Sequence, residues 1–251
     1  MDPAEVLLLF TKKNFMIHYP FLTILGCFLM FSACSQETKS KVRVGGSCEG
    51  CEAIYESPVP FEALNEVDTL PDFNDPGPRL LIRGVIYEAN GKTPAANVIL
   101  YVYHTNQEGV YPRRGNEKGW ARRHGYIRGW VRTNAKGEYR FYTLLPASYP
   151  NSTALKHIHP VIKEPGRNEY YIDEFIFDDD PFLKPEERNR LEQRGGNGIV
   201  TLRRQGDLLV GIRDIVLGRN IPDYGRTAPL EDTESYVFSG PGITGGRILQ
   251  Q

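Results

Sequence analysis

The sequence predicts an all-β fold: a β-sandwich core with one short helix and long irregular N- and C-terminal extensions. Three observations predict it. Short apolar and β-branched runs recur from Leu80 to Leu217. Turn residues stand between them, as at Asn90-Gly91, at 134–137 (NAKG) and at Gln205-Gly206-Asp207. One segment alone carries helix signals.

Residues 80–87 (LLIRGVIY) form the first expected strand, followed by the Asn90-Gly91 turn. Residues 96–103 (ANVILYVY) form the second. Residues 126–133 and 138–143 flank the NAKG turn as a hairpin. In the latter, Tyr139, Phe141 and Thr143 alternate with Glu138, Arg140 and Tyr142, the period of two of a half-buried strand. Residues 155–163, 170–177, 199–204 and 208–217 continue the series. The helix is expected at 185–193 (PEERNRLEQ), where Pro185 suits the first turn and the glutamates suit the positive end of the dipole. Repeated short strands with intervening turns argue a sandwich or barrel.

The chain has 251 residues and a formal charge of -1. A chain of this length buries a core without disulfide support. The near-zero charge argues against nucleic-acid binding, which needs a basic face. Residues 1–33 read as a signal peptide: Lys12 and Lys13, an apolar run at 21–31, then Ser32-Ala33-Cys34. The small residues before Cys34 resemble a bacterial lipoprotein cleavage site, with Cys34 as the lipidated residue, although Phe31 stands where an aliphatic residue is preferred. The expectation is an exported, membrane-anchored lipoprotein at the periplasm or cell surface; an ordinary secretory signal is the alternative. Residues 34–78 read as a tether and an extended arm with little regular structure, 79–220 as the domain, and 221–251 as a surface tail. Cys27 leaves with the signal. Cys48 and Cys51 have no second Cys pair to complete a zinc site, and export makes a local disulfide the expected state.

The chemistry lies in one stretch. On a strand, His157 and His159 point to one face, about 6.5–7 Å apart along the backbone, and Ile158 points to the other. Such a pair grips a metal ion or is a metal-free surface or core pair. Tyr111 follows Glu108-Gly109-Val110 in a loop, and Tyr149 sits between Pro146 and Pro150 in a stiffened turn. A phenol is a poor ligand at its ordinary pKa of ~10, but a bound cation favours its anion. Phenolate is a hard donor that suits Fe(III) better than Zn(II) or Cu(I).

The ordered motifs together resemble the intradiol ring-cleavage dioxygenases, the family of catechol, protocatechuate and hydroxyquinol dioxygenases. The resemblance covers 80–181 and rests on RGVIYEANGKTPAANVILYVYHTN, GVY, RGWVRTNAKGEYRFYTLLPASYP, HIH and EFIFDDDP. It implies a β-sandwich holding non-haem Fe(III) through Tyr111, Tyr149, His157 and His159. It further implies a catechol-type substrate, O2 as co-substrate and a muconate-type product. Tyr149 would leave the metal and take up a substrate proton, making it the catalytic residue, with His159 opposite it. Three departures stand out. Ala154 occupies the place of an arginine beside the metal. Glu174 occupies that of a glutamine. Pro160 follows HIH, where it is expected only at an edge or strand end. Arg128 or Arg132 could replace the arginine, whereas Lys156 should face away. His104 is expected either to orient a ligand or to be a half-buried histidine with one backbone bond. His124 is expected in a loop, and Trp120 and Trp130 in packing. A homo-oligomer is left open. Outside the enzyme class, a transthyretin-like binding module without turnover would share the fold.

Overall fold

A computed structural model of the chain describes residues 43–226. The leader, Cys27, the expected lipidation site Cys34 and residues 227–251 lie outside the described residues. The strands are β1 (Val67–Thr69), β2 (Arg79–Tyr87), β3 (Ile99–His104), β4 (Arg128–Arg132), β5 (Glu138–Leu144), β6 (His157–Lys163), β7 (Tyr170–Tyr171), β8 (Phe175–Phe177), β9 (Ile199–Val200), β10 (Arg203–Gln205), β11 (Leu208–Ile212) and β12 (Ile215–Val216). Two helices accompany them, α1 (Ala121–His124) and α2 (Pro185–Arg190).

The fold is a two-sheet, all-β architecture. One sheet runs β1-β5-β2-β11-β10, with β12 also on β2; the other runs β4-β3-β6-β8-β9, with β7 also on β6. The sequence pattern explains the packing between them. The alternating residues Tyr139 and Phe141 of β5 point inward with Leu80 and Ile82 of β2. They meet Leu100, Val102, Ile158, Ile162 and Phe175 of the second sheet in one buried cluster. Phe141 and Phe175 close the gap edge to face at 5.7 Å.

The second sheet is covered on its outer face as well. Ile99, Tyr101, Trp130 and Val161 are buried there beneath Cys51, Ala53 and Ile54 of the N-terminal arm. That is why 96–103 reads as a continuous apolar run rather than an alternation. The arm is more ordered than expected. It forms 3-10 turns at Cys51–Glu56 and Phe61–Ala63 and a strand, β1, parallel to β5. Leu70 enters the main core beside Gly129, where an added Cβ would stand 2.4 Å from its Cδ1.

Pro160 departs from expectation. It lies inside β6, opposite Val102 of β3, in a strand with neighbours on both sides. On its other side β6 pairs with β8 only at His157 and Ile158, and with β7 only at Val161 and Ile162. Residues 159–160 face a gap between β7 and β8, so the missing N–H of proline deprives no partner. The expected strands at 170–177, 199–204 and 208–217 are each broken in two. At the C-terminal end of the described chain, Ile221 is buried against the core and Tyr224 packs on it.

Leu70→Ala is expected to cost about 2–5 kcal/mol, read as a lower urea midpoint. A loss within about 0.5 kcal/mol, as for a surface position, would show that the arm merely lies on the domain.

Candidate metal centre

The period of two in β6 sends Ile158 and Ile162 into the core and His157 and His159 outward. Each outward histidine is then held from a neighbour. His159 lies directly opposite Tyr103 of β3, and the two rings stack at 4.5 Å. From the other side, Glu174 precedes β8, and its carboxylate stands 3.7 Å from His159 Nδ1. His157 Nδ1 donates to the Leu155 carbonyl at 2.5 Å.

The tyrosines arrive on two loops that are fastened together. Thr105 Oγ1 donates to the Ala147 carbonyl at 2.6 Å, and Ala147 N donates to the Asn106 carbonyl at 3.2 Å. The Asn106 side chain accepts from Glu108 N and Val110 N, winding the turn that presents Tyr111. Gly109 closes that turn at φ 74°, and a Cβ there would stand 1.9 Å from the Ser148 carbonyl oxygen. Only glycine lets the Tyr111 turn approach the Tyr149 turn so closely.

Four donor atoms therefore converge. Tyr111 Oη is 2.7 Å from Tyr149 Oη and 2.8 Å from His159 Nε2. Tyr149 Oη is 3.1 Å from His157 Nε2 and 3.4 Å from His159 Nε2. The two Nε2 atoms are 3.0 Å apart. Ligands at about 2.0–2.1 Å from one first-row metal ion stand roughly 2.9–3.4 Å from one another, so the cluster has the dimensions of a coordination shell. The Leu155 carbonyl calls for a proton on His157 Nδ1, which leaves its Nε2 as a lone pair turned to the cluster. The Glu174 carboxylate, 3.7 Å from His159 Nδ1, favours the same tautomer there electrostatically. Among the described residues, no three His, Cys, Asp or Glu side chains gather into a metal site. The donor set here is imidazole and phenol.

The electrostatics are those of a closed site. Burial, then the hydrogen bond and charge of Tyr149, push the Tyr111 phenol well above its ordinary range. Burial and the neighbouring His159 lower His157. For Glu174 burial pushes upward, but its contact with His159 and the charges of both histidines outweigh this, and the carboxyl lies at about 2. A metal must therefore displace phenol protons to bind, and its uptake releases them.

Other expected residues are placed elsewhere. His104 is not a ligand-orienting residue: it points into the core side, bonded to the Thr105 carbonyl (2.7 Å) and Thr143 Oγ1 (2.6 Å), 3.9 Å from Asp72. It is fully buried rather than half-buried. Arg128 shares the outer face but pairs with Glu56 at 2.6 Å and lies over Trp130. Arg132 is bonded to Asn97 and the Glu62 carbonyl. Lys156 pairs with Asp179 at 2.9 Å. None of these cations takes the place left by the half-buried Ala154. Cys48 and Cys51 are joined, with Cα atoms 5.7 Å apart. Trp120 and Trp130 do pack, the latter buried with its indole N–H on the Ile54 carbonyl.

Tyr103 and His124 add to the site what sequence reading had passed over. His124 ends α1 instead of lying in a loop; it is buried, stacked on Tyr103 at 3.7 Å, and its Nδ1 is hydrogen-bonded to Tyr101 Oη at 2.8 Å. The antiparallel register sets Tyr103 opposite His159 and Tyr101 opposite Val161, a pairing that the sequence alone does not give. A cleft of about 1210 Å³ lies between the arm and 114–130 and holds none of the four donors. A pocket of about 190 Å³ lies against His159, Glu174 and Tyr103, with Ser47, Cys48, Glu49 and Gly50 along its wall. The donor atoms, not cleft size, mark the centre.

Residues 57–186 match the family model described as Dioxygenase. The chain belongs to that family, the intradiol ring-cleavage dioxygenases. Catechol 1,2-dioxygenase 2 of Acinetobacter lwoffii is 29% identical over 130 residues, which is 45% of this chain and 45% of the relative. The match thus spans less than half the length of that curated relative. Among solved structures, the dioxygenase domain of a dioxygenase carbohydrate-binding protein fusion from Streptomyces sp. SirexAA-E has a TM-score of 0.46 at 22% identity, over 60% of this chain and 88% of that one. Catechol 1,2-dioxygenase from Acinetobacter sp. ADP1 has a TM-score of 0.46 at 20% identity, over 61% and 57%.

Burial, reinforced by the charges of Arg128, His159 and Arg123, holds His124 down at about 3. Its unfolded value is near ~6.5, so the unfolded chain takes up this proton first as pH falls. The stability it secures is full above about pH 6.5 and is lost progressively toward about pH 3. His124→Phe is expected to flatten the pH dependence of the unfolding midpoint across that window; an unchanged slope would show that His124 titrates normally.

Proposed function

We propose that the chain is a non-haem Fe(III) intradiol dioxygenase that inserts both atoms of O2 into a catechol-type aromatic and releases a muconate-type dicarboxylate. One observation carries this reading: two imidazole Nε2 atoms and two phenol oxygens converge at 2.7–3.4 Å, a donor set that suits a hard trivalent ion. Tyr111, Tyr149, His157 and His159 would hold the ion. When bound, it supplies Lewis-acid polarisation of the substrate ring and a template for its two oxygens.

The chain's own groups do the rest. The Leu155 carbonyl holds the Nδ1 proton of His157 and so keeps its Nε2 aimed at the centre, and the Glu174 carboxylate stands 3.7 Å from His159 Nδ1. The Tyr103 ring fixes the plane of His159. Tyr149, like Tyr111, stands on a loop rather than on a strand, and the family resemblance assigns to Tyr149 the role of swinging aside and accepting a substrate hydroxyl proton. Ala154, with no cation beside it in place of the family's arginine, favours a second reading: a β-sandwich that keeps the metal but does not turn over.

Iron-loaded protein is expected to be burgundy-red from tyrosinate-to-iron charge transfer, with Tyr149→Phe altering the band and Gly109→Ala weakening metal uptake by separating the tyrosine turns. Oxygen uptake with a panel of catechols then decides between the two readings. Colourless protein that binds iron no better than His157→Ala sinks both. Coloured protein that consumes no oxygen leaves the second.

The Cys48–Cys51 disulfide supports an oxidising compartment, and we place the protein outside the cytoplasm, anchored through Cys34. Membrane fractionation tests the anchor: Cys34→Ala is expected to move the protein to the soluble fraction, and its retention on membranes would remove Cys34 from the account.

A further inference from the structure

Three buried or half-buried aromatic groups beside the centre have no part in binding the metal or substrate. Tyr103 stacks on the ligand His159 at 4.5 Å and on His124 at 3.7 Å, nearly coplanar at 4°. Tyr101, fully buried, stacks on Tyr103 at 5.6 Å and on Trp130 at 4.8 Å. Trp120 contacts His124 at 5.5 Å, and both tryptophans line the 1210 Å³ cleft. Ring contacts thus run unbroken from a candidate metal ligand to a surface cleft.

The hydrogen bonding singles out Tyr101. Its hydroxyl lies 2.8 Å from His124 Nδ1. With the imidazole proton on Nε2, the phenol proton points at Nδ1. Tyrosine and tryptophan are the side chains most readily oxidised by one electron, and a buried phenol gives up an electron only if its proton has somewhere to go. Burial keeps the His124 imidazole neutral; its Nδ1 takes the proton only because the oxidised phenol is a far stronger acid than the resting one.

We propose that Tyr103, Tyr101, His124 and Trp120 form a relay that draws a one-electron oxidising equivalent away from the ligand set and delivers it to the cleft. The oxidant is hydrogen peroxide at the centre when no catechol is bound; its O–O bond breaks and it is reduced to two waters by two electrons and two protons from solvent, the electrons arriving one at a time. Each electron comes from Tyr101 through the intervening Tyr103 ring, so two passages of the relay consume one peroxide. The O–H bond of Tyr101 breaks, its proton forms an N–H bond at His124 Nδ1, and a neutral phenoxyl radical remains. A phenolic one-electron reductant in the cleft, losing an electron and releasing a proton to water, restores Tyr101 by way of Trp120 as His124 returns its proton. The relay spares Tyr111, Tyr149, His157 and His159 from oxidation.

The link to the centre rests on the iron reading; the relay itself is testable without it. Metal-free protein is oxidised with photogenerated ruthenium(III) tris-bipyridine, frozen, and read by electron paramagnetic resonance. A tyrosyl signal is expected that falls several-fold in Tyr101→Phe and equally in His124→Phe, which keeps the phenol but removes the acceptor; unfolded variants are identified by circular dichroism, and Trp120→Phe, at the cleft, serves in their place by slowing decay of the radical with added phenol. Equal signals and decay in wild type and variants would overturn the relay. In the second arm, iron-loaded protein receives hydrogen peroxide without catechol, and oxidised residues are mapped by mass spectrometry. Tyr103→Leu is expected to move oxidation from Trp120 to the four ligand residues; an unchanged map would overturn the link to the centre. Failure to take up iron would overturn the proposed function, while the first arm still decides the relay.

Discussion

The register of one strand governs the rest. β6 is an inner strand of its sheet, and its pairing with β3 places His159 opposite Tyr103 and Ile158 opposite His104. Because side chains alternate, a slip by one residue would bury both histidines and turn Ile158 and Pro160 outward. Burial of Ile158 and Ile162 in the main core holds the register. Core packing and metal geometry are therefore set by the same residues, and neither can drift without the other.

The outer face then needs a cover, and the arm supplies it. Cys51, Ala53 and Ile54 bury Tyr101 and Trp130, while Glu56 takes up Arg128 and the backbone N–H of Trp120. The consequence is an outer layer in which polar groups are matched among themselves. Arg128, the cation best placed on that face, is held by a carboxylate of the arm. The centre receives its charge from Glu174 and the phenols.

Much of this was legible in the sequence. The strand period at 138–143, the hairpin turn and the His-x-His spacing each express a local rule, and local rules survive folding. The order Tyr111, Tyr149, His157, His159 was legible by resemblance, and the four residues do meet. What escaped depended on distant neighbours. Pro160 looked excluded from a strand interior because the gap between β7 and β8 is a property of pairing. Leu70 and Ile54 looked like arm residues because their partners lie some sixty or more positions away. His104 and Arg128 looked available because Thr143 and Glu56, which occupy them, are likewise remote in sequence.

The Cys48–Cys51 bond closes a ring with a sequence separation of only 3. A loop so short removes little freedom from the unfolded chain, about 2 kcal/mol at most in the entropic account, so the bond is a poor global staple. Its effect is positional. It wraps Gly50, held at φ 85°, against His124, where even a Cβ would come within 2.8 Å of Nε2. The bond thus acts as a clasp that keeps the Gly50 turn seated on an aromatic stack.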